Sequence, residues 1–114
     1  MINPGTYNIK CPQGATYYKT FTISTSGSPM DLTGYTSAMQ VREALDSASP
    51  LLSLTNGSGI TLGGTAGTIA VTITSAQSSA IAAGSFVYDL EITSGGTVTR
   101  LLQGSFNVSG NVTR

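Results

Sequence analysis

This chain contains no His and no Trp, a single Cys, and few charged residues, five basic and five acidic among 114. Each shortage excludes something. Without His the usual hydrolytic triads and His-ligated zinc sites cannot be assembled, and one thiol can build neither a cysteinate metal cage nor an internal disulfide. Cys11 has no imidazole to activate it and is expected as a small buried apolar residue. Lys and Arg form no basic run and the formal net charge is zero, which argues against a nucleic-acid partner because phosphate neutralisation needs clustered cations. No apolar run approaches the ~18 residues of a membrane span, and MINPGTYNIK lacks an apolar signal core. The expectation is a soluble chain, not conventionally exported and without a membrane partner.

What is present is β-forming. Fourteen Gly, abundant Ser and Thr, and Val, Ile and Tyr at alternating positions predict one all-β domain. Strands are expected near 6–11, 16–24, 35–44, 51–55, 60–62, 68–74, 86–93 and 97–108, with breakers such as Pro12-Gln13-Gly14 and Asn56-Gly57 between them. Lys19 interrupts the inward set Tyr17, Phe21 and Ile23, so that strand is expected at an edge or bulged. In Met30-Asp31-Leu32-Thr33-Gly34-Tyr35, Asp31 and Thr33 can bond local amides, Gly34 supplies a positive φ and Leu32 plugs inward. The Ala-rich stretch 75–83 predicts one or two helical turns, with Ser75 as N-cap and Gly84 just past the end. The pattern predicts an immunoglobulin-like β-sandwich of seven to eight antiparallel strands over 6–109. Residues 1–5 and 110–114 are expected as arms. Phe86 lacks the hydroxyl of a tyrosine corner, so packing must hold that corner.

The clearest element is a hairpin, FVYDLEITSGGTVTRLLQGSFNV, from Phe86 to Val108. Phe86, Tyr88, Leu90 and Ile92 share one face and Val87, Asp89 and Glu91 the other. A three-residue loop, Ser94 to Gly96, pairs Ile92 with Val98 and Tyr88 with Leu102, and gathers Val98, Leu102 and Phe106 on the apolar side. It leaves Arg100 facing inward opposite Leu90 unless a bulge re-aims it.

Candidate chemistry is sparse. Asp89 and Glu91 share a face, but an i, i+2 carboxylate pair beside Arg100 reads as an ion-pairing surface before an acid–base pair. Asp31 and Asp46 are isolated and show no calcium-loop spacing. The Gly57–Gly67 run has no phosphate-loop pattern, and the three Asn-X-Ser/Thr sites are easily matched by chance in a chain this rich in Ser and Thr. Most of Tyr7, Tyr17, Tyr18 and Tyr35 are expected to pack their rings inward with a polar tip. The candidate interaction surface comprises Tyr18, Arg42, Asp89, Glu91 and Arg114. Neutrality also weakens protection against self-association, which suits a chain kept in an assembly.

Several segments together carry a resemblance: Gln13-Gly14-Ala15-Thr16, Pro29 to Thr36 leading to Met39-Gln40-Val41-Arg42, Gly59 to Gly64, Tyr88-Asp89-Leu90-Glu91, and Thr99 to Gly104. In combination they resemble small virion proteins of tailed bacteriophages and phage immunoglobulin-like domains, similar to the N-terminal module of baseplate upper proteins. The resemblance implies a non-catalytic particle component of the tail, baseplate or neck, made in the host cytoplasm and carried in the virion. It implies other virion proteins as partners, several copies in a symmetric assembly, and no cofactor or small-molecule substrate. A capsid decoration protein and a carbohydrate-binding module are the alternatives.

Overall fold

The computed structural model describes residues 5–25, 27–44 and 46–110. In chain order the strands are β1 (Gly5–Thr6), β2 (Ile9–Pro12), β3 (Tyr17–Thr22), β4 (Ser24–Thr25), β5 (Ser28–Pro29), β6 (Thr36–Arg42), β7 (Leu52–Asn56), β8 (Gly59–Leu62), β9 (Thr68–Ile73), β10 (Gly84–Ser94) and β11 (Thr97–Ser109), with one short helix, α1 (Ser75–Ser79), before β10. Hydrogen bonding runs β1-β11-β10-β6-β7-β8-β9-β3, with β2 also on β11 and β4 paired only with β5. This ladder folds over itself into two layers. Ile69, Val71 and Ile73 of β9 join Met39, Val41, Leu90 and Ile92 of β6 and β10 in one buried cluster. The larger layer is β1/β2, β11, β10, β6 and β7, and the smaller is β8, β9 and β3. Between them β7 and β8 share only Thr55↔Gly59 and Asn56↔Ile60.

The result is an immunoglobulin-like β-sandwich, and it differs from the expected one in two respects: among the described residues eleven strands, several of two residues, stand in place of seven to eight, and their directions are mixed. The strands are not all antiparallel: β1 and β2 run parallel to β11, as β7 does to β8. Gly5, expected in an arm, already pairs with Leu102; the rest of the N-terminal arm and residues 111–114 of the C-terminal one lie outside the described residues. At the far edge, β3 pairs only with β9. The inward Lys19 lies there with its Nζ 5.4 Å from the centre of the Tyr7 ring, and that ring meets Phe21 edge-on at 5.2 Å. A charge pointing inward at an open edge discourages further pairing.

Local chemistry explains the connections. Thr33 donates its amide to Asp31 Oδ1 at 2.9 Å, and bonds from the Thr33 side chain and then its backbone hold the Asp31 carboxyl below its usual range. Leu32 is fully buried at the top of that turn. Cys11 is buried as expected, and burial pushes its thiol up.

The helix makes the one to two turns expected, over Ser75–Ser79, and Thr74, not Ser75, caps it. Thr74 Oγ1 accepts from the Gln77 amide at 3.1 Å while Gln77 Oε1 accepts from the Thr74 amide at 2.9 Å, the reciprocal pair that satisfies two otherwise free donors. Gly84 does not terminate the helix; it opens β10. Ser75 acts on a neighbouring turn instead. Its hydroxyl donates to the Gly14 carbonyl at 2.7 Å, and the buried Ser78 Oγ accepts from the Gly14 amide at 3.0 Å. Thus α1 clamps the turn between β2 and β3.

The hairpin register is the main correction. The loop has two residues, Gly95 and Gly96, with φ of 57° and 86°, the left-handed pair that a two-residue hairpin turn requires. Ser94 pairs with Thr97, Thr93 with Val98 and Ile92 with Thr99, and the register then shifts so that Leu90 pairs with Leu102, Tyr88 with Gly104 and Phe86 with Phe106. Leu101 is the extra residue of a β-bulge. Val98 is consequently 57% exposed, while Leu101, Phe106 and Val108 are buried. Of the apolar face expected of a longer loop, Phe106 is buried and Leu102 half-buried, and the bulged Leu101 enters the core where Val98 was expected.

Candidate functional site

β10 lies between β6 and β11, and its odd-numbered side chains point away from the core. Cross-strand partners share a face, so the ladder builds three polar rows. Arg42 stands beside Val87, Gln40 beside Asp89 and Ala38 beside Glu91. On the other side Gln103 stands beside Asp89 and Arg100 beside Glu91. All of these side chains except Ala38 line a concavity of about 450 Å³ on the outer face of the larger layer.

The bulge at Leu101 makes this set possible. Arg100 and Gln103 are three residues apart, and on a regular strand they would point to opposite faces. One inserted residue changes the parity and puts both in the groove. The expected problem of an inward Arg100 is answered by the two-residue turn, which pairs it with Glu91 so that it points to solvent, with its Nε 3.5 Å from Asp89 Oδ2.

The charges are held unevenly. Arg42 donates from Nη1 to the Ser47 carbonyl and from Nη2 to Gln40 Oε1, both at 2.8 Å; its partners are neutral. Arg100 also donates to Gln103 Oε1, at 3.4 Å. Glu91 faces Arg100 across the ladder, yet Arg100 turns to Asp89, and among the described residues no cation lies within ion-pair distance of Glu91. The Asp89–Arg100 pair is open to water and worth about 0–1 kcal/mol. Guanidinium, carboxylate and carboxamide groups at a solvated surface offer hydrogen bonds and ion pairs to a docking partner. Among the described residues no group of three or more His, Cys, Asp or Glu is placed to share a metal ion.

Of the candidate residues, the structure brings Arg42, Asp89 and Glu91 together. Tyr18 is elsewhere: it lies on β3 in the other layer, 66% exposed, where its hydroxyl accepts from Thr20 Oγ1 at 3.3 Å. Arg114 lies outside the described residues. Gln40 belongs to the groove and was legible as the outward neighbour of Arg42. Gln103 was legible too, since the expected register turns Leu102 inward and its neighbour Gln103 outward; Arg100 is the groove residue that this register put on the wrong face.

No protein-family model matches the sequence, and no curated protein matches it either. Among solved structures the fold is similar to one described for multimeric cell-adhesive interactions of sodium channel (VGSC) β subunits. The TM-score is 0.51 at 11% identity, over 96% of this chain and 97% of that one. At that identity the shared property is the all-β, immunoglobulin-like fold.

Proposed function

We propose that this protein is a non-catalytic structural component of a tailed bacteriophage particle, in the tail, baseplate or neck, that docks onto other virion proteins. The observation that carries the reading is the combination of Asp31-Leu32-Thr33-Gly34-Tyr35-Thr36 with Tyr88-Asp89-Leu90-Glu91 and Arg100-Leu101-Leu102-Gln103-Gly104, which resembles small virion proteins. Two of these segments form the central hairpin and supply most of the charged groove. A non-catalytic role is supported by the chemistry: no His exists in the chain, and the paired carboxylates sit at an open surface with Arg100 against one of them.

The carbohydrate-binding alternative is less well supported. Sugar recognition favours an aromatic ring flanked by polar groups, but the only aromatic lining the groove is the buried Tyr88, and the exposed Tyr18 is in the other layer. Mass spectrometry of purified particles tests the main reading, with the protein expected in the tail fraction. Enrichment in heads at high copy number would move it to capsid decoration, and absence from both fractions would overturn the virion role.

A further inference from the structure

We propose that the outer face of β6, β10 and β11 is a self-docking surface whose partner is a second copy of this chain. The inference names the partner of the face read above as a docking surface, and so rests on that reading. The chain has five basic and five acidic residues, and Arg42, Asp89, Glu91 and Arg100 converge on one groove. Such concentration in a charge-poor protein marks a patterned surface. Its two cations and two anions cancel, so a second copy meets no net repulsion; a nucleic acid or an acidic peptide would call for a cationic face instead.

The pattern is also self-complementary. Arg42 is satisfied only by neutral acceptors, and Glu91 has no cation within ion-pair distance among the described residues. They lie at opposite ends of the groove. Arg42 is level with Val87, so Glu91 is four residues further along β10, roughly 13 Å away. That is too far for mutual neutralisation within one molecule. Asp89 stands midway. A two-fold axis lying just outside this face, parallel to the sheet, perpendicular to β10 and level with Asp89, exchanges the two ends, bringing Glu91 of each copy to the Arg42 end of the other, so two equivalent ion pairs form from one patch. The residue at the axis, Asp89, already carries its own Arg100, which limits repulsion between the two copies of it.

Sedimentation equilibrium of the full chain, at low and high ionic strength, tests the proposal through a charge swap. The wild type should dimerise, more tightly at low salt. Arg42→Glu and Glu91→Arg should each weaken the dimer by about tenfold or more, because two attractive pairs become repulsive. An equimolar mixture of the two variants should recover a heterodimer of near wild-type affinity. Urea melts confirm that each variant is folded; Glu91→Gln serves in place of Glu91→Arg if that variant is not, and its mixture with Arg42→Glu should then recover part of the affinity, because one of the two pairs is restored. A wild type that stays monomeric up to millimolar concentration, a dimer indifferent to both substitutions, or a mixture that fails to recover overturns the proposal. A monomer still found in purified particles removes self-docking and leaves the virion role standing. A dimer absent from particles does the reverse.

Discussion

The hydroxyl of Tyr88 donates a 2.6 Å hydrogen bond to the backbone carbonyl of Tyr7, tying the central strand of the larger layer to the gap between β1 and β2. Gly104 makes room for it. It stands opposite Tyr88 in the ladder, and a Cβ there would collide with the Tyr7 carbonyl and come within 2.9 Å of Asn8 Oδ1. Phe86 has no hydroxyl for a tyrosine corner, and a tyrosine two residues on bonds a different backbone segment.

Replacing Tyr88 with Phe leaves the Tyr7 carbonyl without this donor while keeping the ring. The expected loss is about 1–2 kcal/mol in urea unfolding. An unchanged midpoint would mean that water replaces the hydroxyl at no cost.

Gly104→Ala should be more disruptive than its single methyl suggests, because the obstacle is backbone. Overpacking of this kind costs about 1–3 kcal/mol. Gly110→Ala is the matched control, since its nearest neighbour is the Ala83 Cβ at 3.9 Å. Equal melting temperatures for the two variants would contradict the steric account.

Alkaline pH should unfold the protein through its tyrosines. Burial first, then Tyr7 through charge and a hydrogen bond, pushes Tyr17 up from 10.0 to about 12, and burial pushes Tyr88 up as well. Because the folded pKa exceeds the unfolded one, the unfolded chain loses its proton first and stability falls across that interval. Stability should begin to fall near pH 9, where the thiol of Cys11 ionises in the unfolded chain, and should decline further as pH rises from 10 through about 12. Denaturant melts across this range check the sign, and Tyr17→Phe should shallow the decline.

Thr74→Ala removes the oxygen that accepts from the Gln77 amide, for an expected loss of about 1 kcal/mol. Because α1 clamps Gly14 through Ser75 and Ser78, amide exchange should quicken in the turn between β2 and β3 as well as in the helix. Faster exchange in the helix alone would show that the clamp survives without the cap.

Ser37→Ala should stabilise. The Ser37 hydroxyl is buried and has no hydrogen-bond partner among the described residues, so removing it relieves an uncompensated desolvation of up to about 1 kcal/mol. A destabilised variant, measured by thermal melting, would point to a bound water at this position.

Alternation by itself determined which residues of β6, β9 and β10 enter the core. Met39, Val41, Ile69, Val71, Ile73, Leu90 and Ile92 are all buried, because a two-residue period leaves no other way to bury an apolar set on a twisted sheet. Local turn chemistry likewise determined the Asp31–Gly34 plug, while the interruption at Lys19 left its strand at an edge or bulged and the sheet order decided for the edge. Tertiary structure decided the rest. Whether Gly95-Gly96 turns alone or with Ser94 depends on what the bulge at Leu101 does later, and a one-residue insertion shows in the ladder pairing, not in the alternation of either strand. The parallel pairing of β1 and β2 with β11 joins residues nearly a full chain length apart, beyond any local signal. The groove combines both levels: parity gathers Arg42, Asp89 and Glu91 on outward faces, and the two-residue turn then adds Arg100 and the bulge keeps Gln103 beside it, so its charge pattern exists only in the folded sheet.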